Sequence, residues 1–365
     1  MRYFVAGICK LAEIIPKMMK MNKLKFISLF VFIVNISLGQ NVLEYEKKIQ
    51  HIENYYSTDL EFINSEEKIK LYGTLIAPKN QYDKILIITP GSGMDTRNNH
   101  YLLAESLLEK NIAVFRYDER GVGQSEGKFS TSNYTITDMT NDLISIFSSI
   151  RNNEDFSAKK IGILGHSQGG MVVMSLIEKG YKPDFLIQWA TPVRKYGEFI
   201  KYQLKTGVNK FDSELMFEND DKKIEIMDIF HSYFGGTSTE NTWKEDLKIS
   251  DEALKKAREH GYTNKNYNRF YYCNFKSIRH LIKKDFENVY ANNTIPMLYI
   301  IGTDDKYVDP INEVDKLNSF KNDNIKIVVL ENLNHYLTKG KISENTMYKI
   351  DSSAKNQIIN WIVNQ

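Results

Sequence analysis

Lys160-Ile161-Gly162-Ile163-Leu164-Gly165-His166-Ser167-Gln168-Gly169-Gly170 is the stretch that decides the fold. An apolar run of strand character ends in Gly165-His166-Ser167-Gln168-Gly169, which has the form G-x-S-x-G. Met171 to Lys179 then has the character of a helix. In the order strand, motif, helix, this pattern specifies a turn so sharp that the serine takes a strained backbone conformation. Small residues two before and two after it are needed to avoid collision. Such a turn holds the hydroxyl out at the carboxyl end of a sheet, beside helix N–H groups that point towards it.

The chain around this turn alternates strands and helices. Glu61-Phe62-Ile63 and Ile69 to Leu75 read as a hairpin turned by Asn64-Ser65-Glu66-Glu67. Strand Lys84–Thr89 leads to helix His100–Glu109, and strand Ile112–Arg116 to helix Thr137–Arg151. Strand Asp184–Ala190 follows the serine's helix. Later, strand Met297–Ile301 leads to helix Ile311–Phe320, and strand Ile325–Leu330 to a terminal helix ending near Val363. The alternation predicts an α/β fold, a mostly parallel sheet with helices on both faces.

Residues 193–290 break the alternation. They hold no convincing strand and show helical stretches around 196–206, 221–234, 251–260 and 274–284. Lying between two core strands, they read as an inserted helical cap. Its aromatics Phe199, Tyr202, Phe230, Tyr233, Phe234, Trp243 and Tyr271 are expected to pack the cap itself, with a few lining a pocket beneath it.

The 365 residues suffice for one large α/β domain or two small ones, and the formal net charge is +2. Residues 1–39 carry six basic groups and one acidic group; without them the chain has 42 basic against 45 acidic groups. No basic stripe with interleaved aromatics is present, which argues against a nucleic-acid partner. Lys20, Lys23 and Lys25 precede an apolar core from Phe26 to Leu38, closed by Ser37-Leu38-Gly39. That reads as a cleaved export signal over 1–39, with Met19 or Met21 as alternative starts, leaving 40–365 as the mature domain. The expected location is periplasmic or secreted; an uncleaved membrane anchor is the alternative. Cys9 falls in the signal region and Cys273 is alone in the remainder, so no internal disulfide is expected.

A serine hydroxyl needs a base, and the base needs an anion to fix its tautomer. After such a turn the acid comes first in the chain and the histidine last. His231, His260 and His280 lie in the cap, whereas His335 sits in Leu333-Asn334-His335-Tyr336-Leu337, after the last core strand. The preceding loop, Gly302-Thr303-Asp304-Asp305-Lys306-Tyr307-Val308-Asp309-Pro310, offers three aspartates. Asp305 fits best by position, Asp304 is the runner-up, and Asp309 reads as the cap of the helix opening at Pro310. Ser167, Asp305 and His335 are therefore the candidate catalytic residues. Two backbone N–H groups must face the developing oxyanion; the candidates are Gln168 and Ser92, the latter in the glycine-rich loop Pro90-Gly91-Ser92-Gly93. No metal or organic cofactor is required.

With these segments the chain resembles the α/β-hydrolase superfamily, in particular its bacterial carboxylesterase and serine-aminopeptidase-like or monoacylglycerol-lipase-like members. The resemblance spans roughly residues 60–340. Four segments carry it: Pro90-Gly91-Ser92-Gly93 with Arg97 downstream, Asp118-Glu119-Arg120-Gly121-Val122-Gly123-Gln124-Ser125 after Arg116-Tyr117, the Ser167 turn, and the Asp305/His335 pair. Pro90 departs from the pattern, since many relatives have histidine before the glycine. The resemblance implies hydrolysis of a small-molecule ester or acyl substrate through an acyl-enzyme. Peptidase, thioesterase and acyltransferase activities share the same three residues, and a non-catalytic binding protein on the same scaffold is a further alternative.

Overall fold

The structure is a computed structural model that describes residues 49–208, 220–262 and 275–365. The expected export signal, Cys9, Cys273 and Tyr271 lie outside the described residues.

Eight strands form one sheet: β1 (Tyr55–Ile63), β2 (Lys70–Pro78), β3 (Lys84–Thr89), β4 (Ile112–Tyr117), β5 (Lys160–His166), β6 (Phe185–Trp189), β7 (Met297–Gly302) and β8 (Ile325–Leu330). Their spatial order is β1-β2-β4-β3-β5-β6-β7-β8. β2 runs antiparallel to β1 and to β4, and from β4 to β8 every pairing is parallel. β3, β4, β6 and β7 are buried at every position. That explains why their mostly apolar sequences do not alternate with polar residues, because a parallel strand covered on both faces has no solvent side. β8 closes the sheet at one edge and is only partly buried.

The main helices are α1 (Tyr101–Leu108), α2 (Ile136–Arg151), α3 (Gln168–Glu178), α4 (Glu198–Thr206), α5 (Asp220–Phe234), α6 (Trp243–Glu259), α7 (Lys276–Lys283), α8 (Glu287–Ala291), α9 (Pro310–Ser319) and α10 (Ser352–Val363). From β3 the chain steps through α1 to β4 on one side. It then returns past β3 to β5 on the other. Right-handed crossovers in opposite directions place α1 on one face and α2 and α3 on the opposite face. A crevice therefore opens at the carboxyl ends of β3 and β5, where the winding reverses and where open α/β sheets bind ligands. Thr89 pairs with Gly165 in register, so the loop Pro90–Gly93 and the Ser167 turn leave the sheet side by side.

Five helices, α4 to α8, and no strand among the described residues lie between β6 and β7. Two expectations for this insertion need correction. The helix expected over 251–260 begins at Trp243, because Thr242 and Glu245 form a capping box that starts it eight residues earlier. Trp243 does not pack the insertion; at that first helical position it is 57% exposed. Phe230 and Phe234 are fully buried, Tyr233 packs at the edge of the core, and Phe199 faces a pocket.

Candidate active site

Ser167 is the residue between β5 and α3, at φ 54° and ψ −121°. A positive φ at a residue with a side chain is strained and persists only where the surroundings enforce it. Here Ser167 N–H donates to Trp189 O at 2.8 Å, and Gly170 N–H returns to Ser167 O at 3.0 Å. The flanking glycines are required by contact. A Cβ on Gly165 would meet Gly170 Cα at 2.5 Å, and one on Gly169 would collide with the Pro90 carbonyl oxygen. Gly91 is less crowded but still near: a Cβ there would lie 3.3 Å from Ser167 Cβ. The two loops are thus in van der Waals contact. Gln168 opens α3, so its N–H has no acceptor within the helix, and Gln168 and Ser92 both line the pocket.

Asp305 and His335 come together as buried partners. Asp305 Oδ2 lies 2.8 Å from His335 Nδ1. Asp305 Oδ1 accepts from Tyr307 N–H at 2.7 Å and Val308 N–H at 2.9 Å. The carboxylate is therefore held at both oxygens, with one reserved for the imidazole. Asp304, its neighbour, is exposed, and Asp309 caps α9 through Ile311 and Asn312 N–H groups. Of the three aspartates in this loop, only Asp305 points at His335.

His335 is fixed by groups that sequence reading did not single out. Its carbonyl oxygen accepts from Trp189 Nε1 at 3.1 Å and sits 3.3 Å from His166 Nε2. Its ring lies between His166, with centroids 5.0 Å apart, and Tyr307, at 4.8 Å. Burial, with His335 and His100 nearby, pushes the His166 imidazole well below its usual range, so it is neutral. Trp189 ends β6 and pairs in register with His166, a placement that its sequence neighbourhood does not mark.

The loops beneath are tied together. Asp95 N–H donates to Glu119 Oε2 at 2.9 Å, and Glu119 N–H returns to Asp95 O at 3.1 Å. Arg97 Nη2 donates to Asp118 Oδ2 at 2.7 Å, and Arg97 N–H to Asp118 Oδ1 at 2.8 Å. These bonds lock the loop bearing Ser92 to the loop after β4. Burial pushes the Asp95 carboxyl up to about 6, opposed by the Tyr348 hydroxyl 2.6 Å from it.

Ser92, Ser167, Gln168 and His335 all line one cavity of about 510 Å³, within the usual range for small-molecule sites. Its walls come from α4 and α7 of the insertion (Phe199, Ile200, Gln203, Ile278, Leu281) and from Phe129, Tyr134, Met139 and Met171 of the core. Among the described residues lining it there is no Asp, Glu, Lys or Arg. Among the described residues no cluster of three or more His, Cys, Asp or Glu side chains is arranged to hold a metal ion.

A serine at a strained turn after β5, beside a switch point in a mostly parallel eight-stranded sheet with this strand order, defines an α/β-hydrolase. Residues 80–341 match the family described as serine aminopeptidase, S33, and the chain belongs to that family. Solved structures share the fold. The esterase Pf2001 of Pyrococcus furiosus is 18% identical with a TM-score of 0.56, covering 87% of this chain and 94% of its own. A bromoperoxidase from Bacillus anthracis is 16% identical with a TM-score of 0.51, covering 84% and 100%. The uncharacterized protein YfhR of Salmonella typhi is 28% identical over 100 residues, 27% of this chain. The match spans 32% of that curated relative's length.

Proposed function

We propose that this chain is a serine hydrolase that cleaves carboxylic esters of uncharged, largely apolar acyl groups through an acyl-enzyme. The observation that carries the reading is the buried Asp305–His335 pair, whose histidine lines the same cavity as Ser167. Ser167 Oγ attacks the ester carbonyl while His335 Nε2 takes its proton. The negative charge that forms on the carbonyl oxygen is met by the N–H groups of Ser92 and Gln168. His335 then protonates the departing alcohol. In deacylation it accepts a proton from water, which attacks the acyl-serine and releases the acid. Asp305 holds the Nδ1–H tautomer and balances the imidazolium charge.

The character of the lining favours esters over N-terminal peptides. An aminopeptidase must bury its substrate's ammonium group, which is costly without a carboxylate partner. The described walls offer aromatic and aliphatic side chains instead. The test is a panel of p-nitrophenyl acyl esters against aminoacyl p-nitroanilides and acyl thioesters, with Ser167→Ala and fluorophosphonate labelling in parallel. Acyl esters are expected to be the best substrates, and Ser167→Ala to be inactive and unlabelled. Full activity in Ser167→Ala would end the serine mechanism, and preferential cleavage of aminoacyl amides would end the ester assignment.

A further inference from the structure

Asp305, Lys306 and Tyr307 present three consecutive backbone carbonyls to one helix of the insertion. Tyr202 Oη donates to Asp305 O at 2.8 Å, Thr206 Oγ1 to Lys306 O at 2.6 Å, and Gln203 Nε2 to Tyr307 O at 3.2 Å. The loop's own N–H groups are used internally: Asp305 N–H on Gly302 O, and Tyr307 and Val308 N–H on the Asp305 carboxylate. These three carbonyls leave the end of β7, beyond its ladder with β8. Backbone oxygens removed from water require partners; Asp305 is buried, Tyr307 half-buried and Lys306 exposed, and α4 supplies a donor to all three.

The supply is specific in its detail. A threonine hydroxyl has one proton. Within 3.2 Å of Thr206 Oγ1 lie the carbonyls of Tyr202 and Gln203, in its own helix, and of Lys306. Lys306 O is the nearest by a clear margin, so the proton goes to the loop. Tyr202 and Thr206 are four residues apart and share a helix face. Burial and the carboxylates of Asp309 and Asp305 push the Tyr202 hydroxyl up to about 12, so it stays a donor. The adjoining face of the same helix carries Phe199 and Ile200 into the cavity, and Gln203 belongs to both faces.

We propose that α4 is a latch on the acid loop: Tyr202 and Thr206 are positioning residues that hold Asp305 in register with His335, so the cavity wall and the catalytic acid move as one body. This rests on the reading of Asp305 as the acid that orients His335. Ordinary docking of a helix would predict a loss of stability when the hydroxyls are removed. A latch predicts in addition a loss of turnover in molecules that remain folded, because small displacements of a catalytic group are costly.

The experiment compares Tyr202→Phe, Thr206→Val and the double variant with Thr206→Ser and with Lys205→Ala, an exposed position on the same helix. Steady-state kinetics on a short acyl p-nitrophenyl ester are read alongside circular dichroism to establish folding. The double variant is expected to lose about ten- to a hundredfold in kcat with KM within about twofold. Each single variant should lose part of that, Thr206→Ser should recover most of it, and Lys205→Ala should match the parent. A folded double variant with parental kcat overturns the latch. If the double variant does not fold, the singles decide: parental kcat in both overturns it, and equal losses in Thr206→Val and Thr206→Ser do so as well. Ser167→Ala is assayed beside them. If it keeps activity, the catalytic reading fails; if it is inactive while the latch variants keep their kcat, only the latch fails.

Discussion

Trp189 Nε1 donates to the backbone oxygen of His335 at 3.1 Å, joining the end of β6 to a residue 146 positions later. Trp189 also accepts the Ser167 N–H through its own carbonyl. One residue therefore touches the backbone of both the candidate nucleophile and the candidate base. Trp189→Phe keeps a large ring and removes the donor. Among the described residues, the His335 oxygen then keeps His166 Nε2, at 3.3 Å. We expect a stability loss of about 1–3 kcal/mol from the weakened buried carbonyl and a fall in kcat larger than any change in KM. Urea unfolding and ester kinetics on the purified variant measure both. Unchanged kcat would show that the indole N–H does not orient His335.

Asp305 and Asp304 are adjacent, and the structure separates them sharply. Asp305 is buried and bonded to His335, whereas Asp304 is exposed and its backbone N–H, which a substitution leaves intact, bonds Leu333 O at 2.9 Å. Asp305→Asn should reduce kcat on the order of 10³- to 10⁴-fold, because an amide can present its N–H to Nδ1 and stabilise the wrong tautomer. Asp304→Asn should stay within about twofold of the parent, as an exposed substitution away from the site does. The reverse pattern in a simple rate assay would reassign the acid.

Gly169 tests the contact between the two loops. Its Cα faces the Pro90 carbonyl so closely that any Cβ must displace backbone. Gly169→Ala should cost about 1–3 kcal/mol through overpacking. It should also push the loop bearing Ser92 away from Ser167, lowering kcat by about 10²-fold. The fluorophosphonate labelling rate of Ser167 should drop with it. A destabilised variant that still labels at the parental rate would mean that the Ser92 loop does not set the geometry of attack.

How far the sequence carried this picture depends on the range of each interaction. The strands of the parallel core were legible because burial on both faces leaves mostly apolar runs, as in Lys84–Thr89, which matches residue for residue; the partly buried edge strand Ile325–Leu330 matches as well, through its β-branched residues. The placement of Ser167 at the turn after β5 and of Asp305 beside His335 was legible because the fold fixes the order of the loops that carry them. The start of α6 was not read, although Thr242 and Glu245 hold a capping signal, because the apolar pattern there is weak and Trp243 points to solvent. The roles of Trp189, His166, Tyr202 and Thr206 were not legible at all. Each depends on a hydrogen bond to a backbone carbonyl, which any residue in the partner position would supply. Nothing in the partner's identity marks it.

His280 makes stability depend on pH in a direction that can be worked out. It is buried on α7, and desolvation, followed by the charges of Lys276 and Lys283, pushes it down to about 4. The unfolded chain binds its proton near 6.5 while the folded chain does not until near 4. Stability from this group is therefore complete above about pH 6.5 and is lost as pH falls towards 4. At about 1.4 kcal/mol per unit, the loss is up to about 3 kcal/mol. His280→Leu removes the titration and keeps an apolar side chain of similar size. Urea unfolding of both proteins at pH 7.5 and pH 4.5 should show the parent losing stability relative to the variant on acidification. A stability difference that is the same at both pH values would mean that His280 is not held neutral by its surroundings.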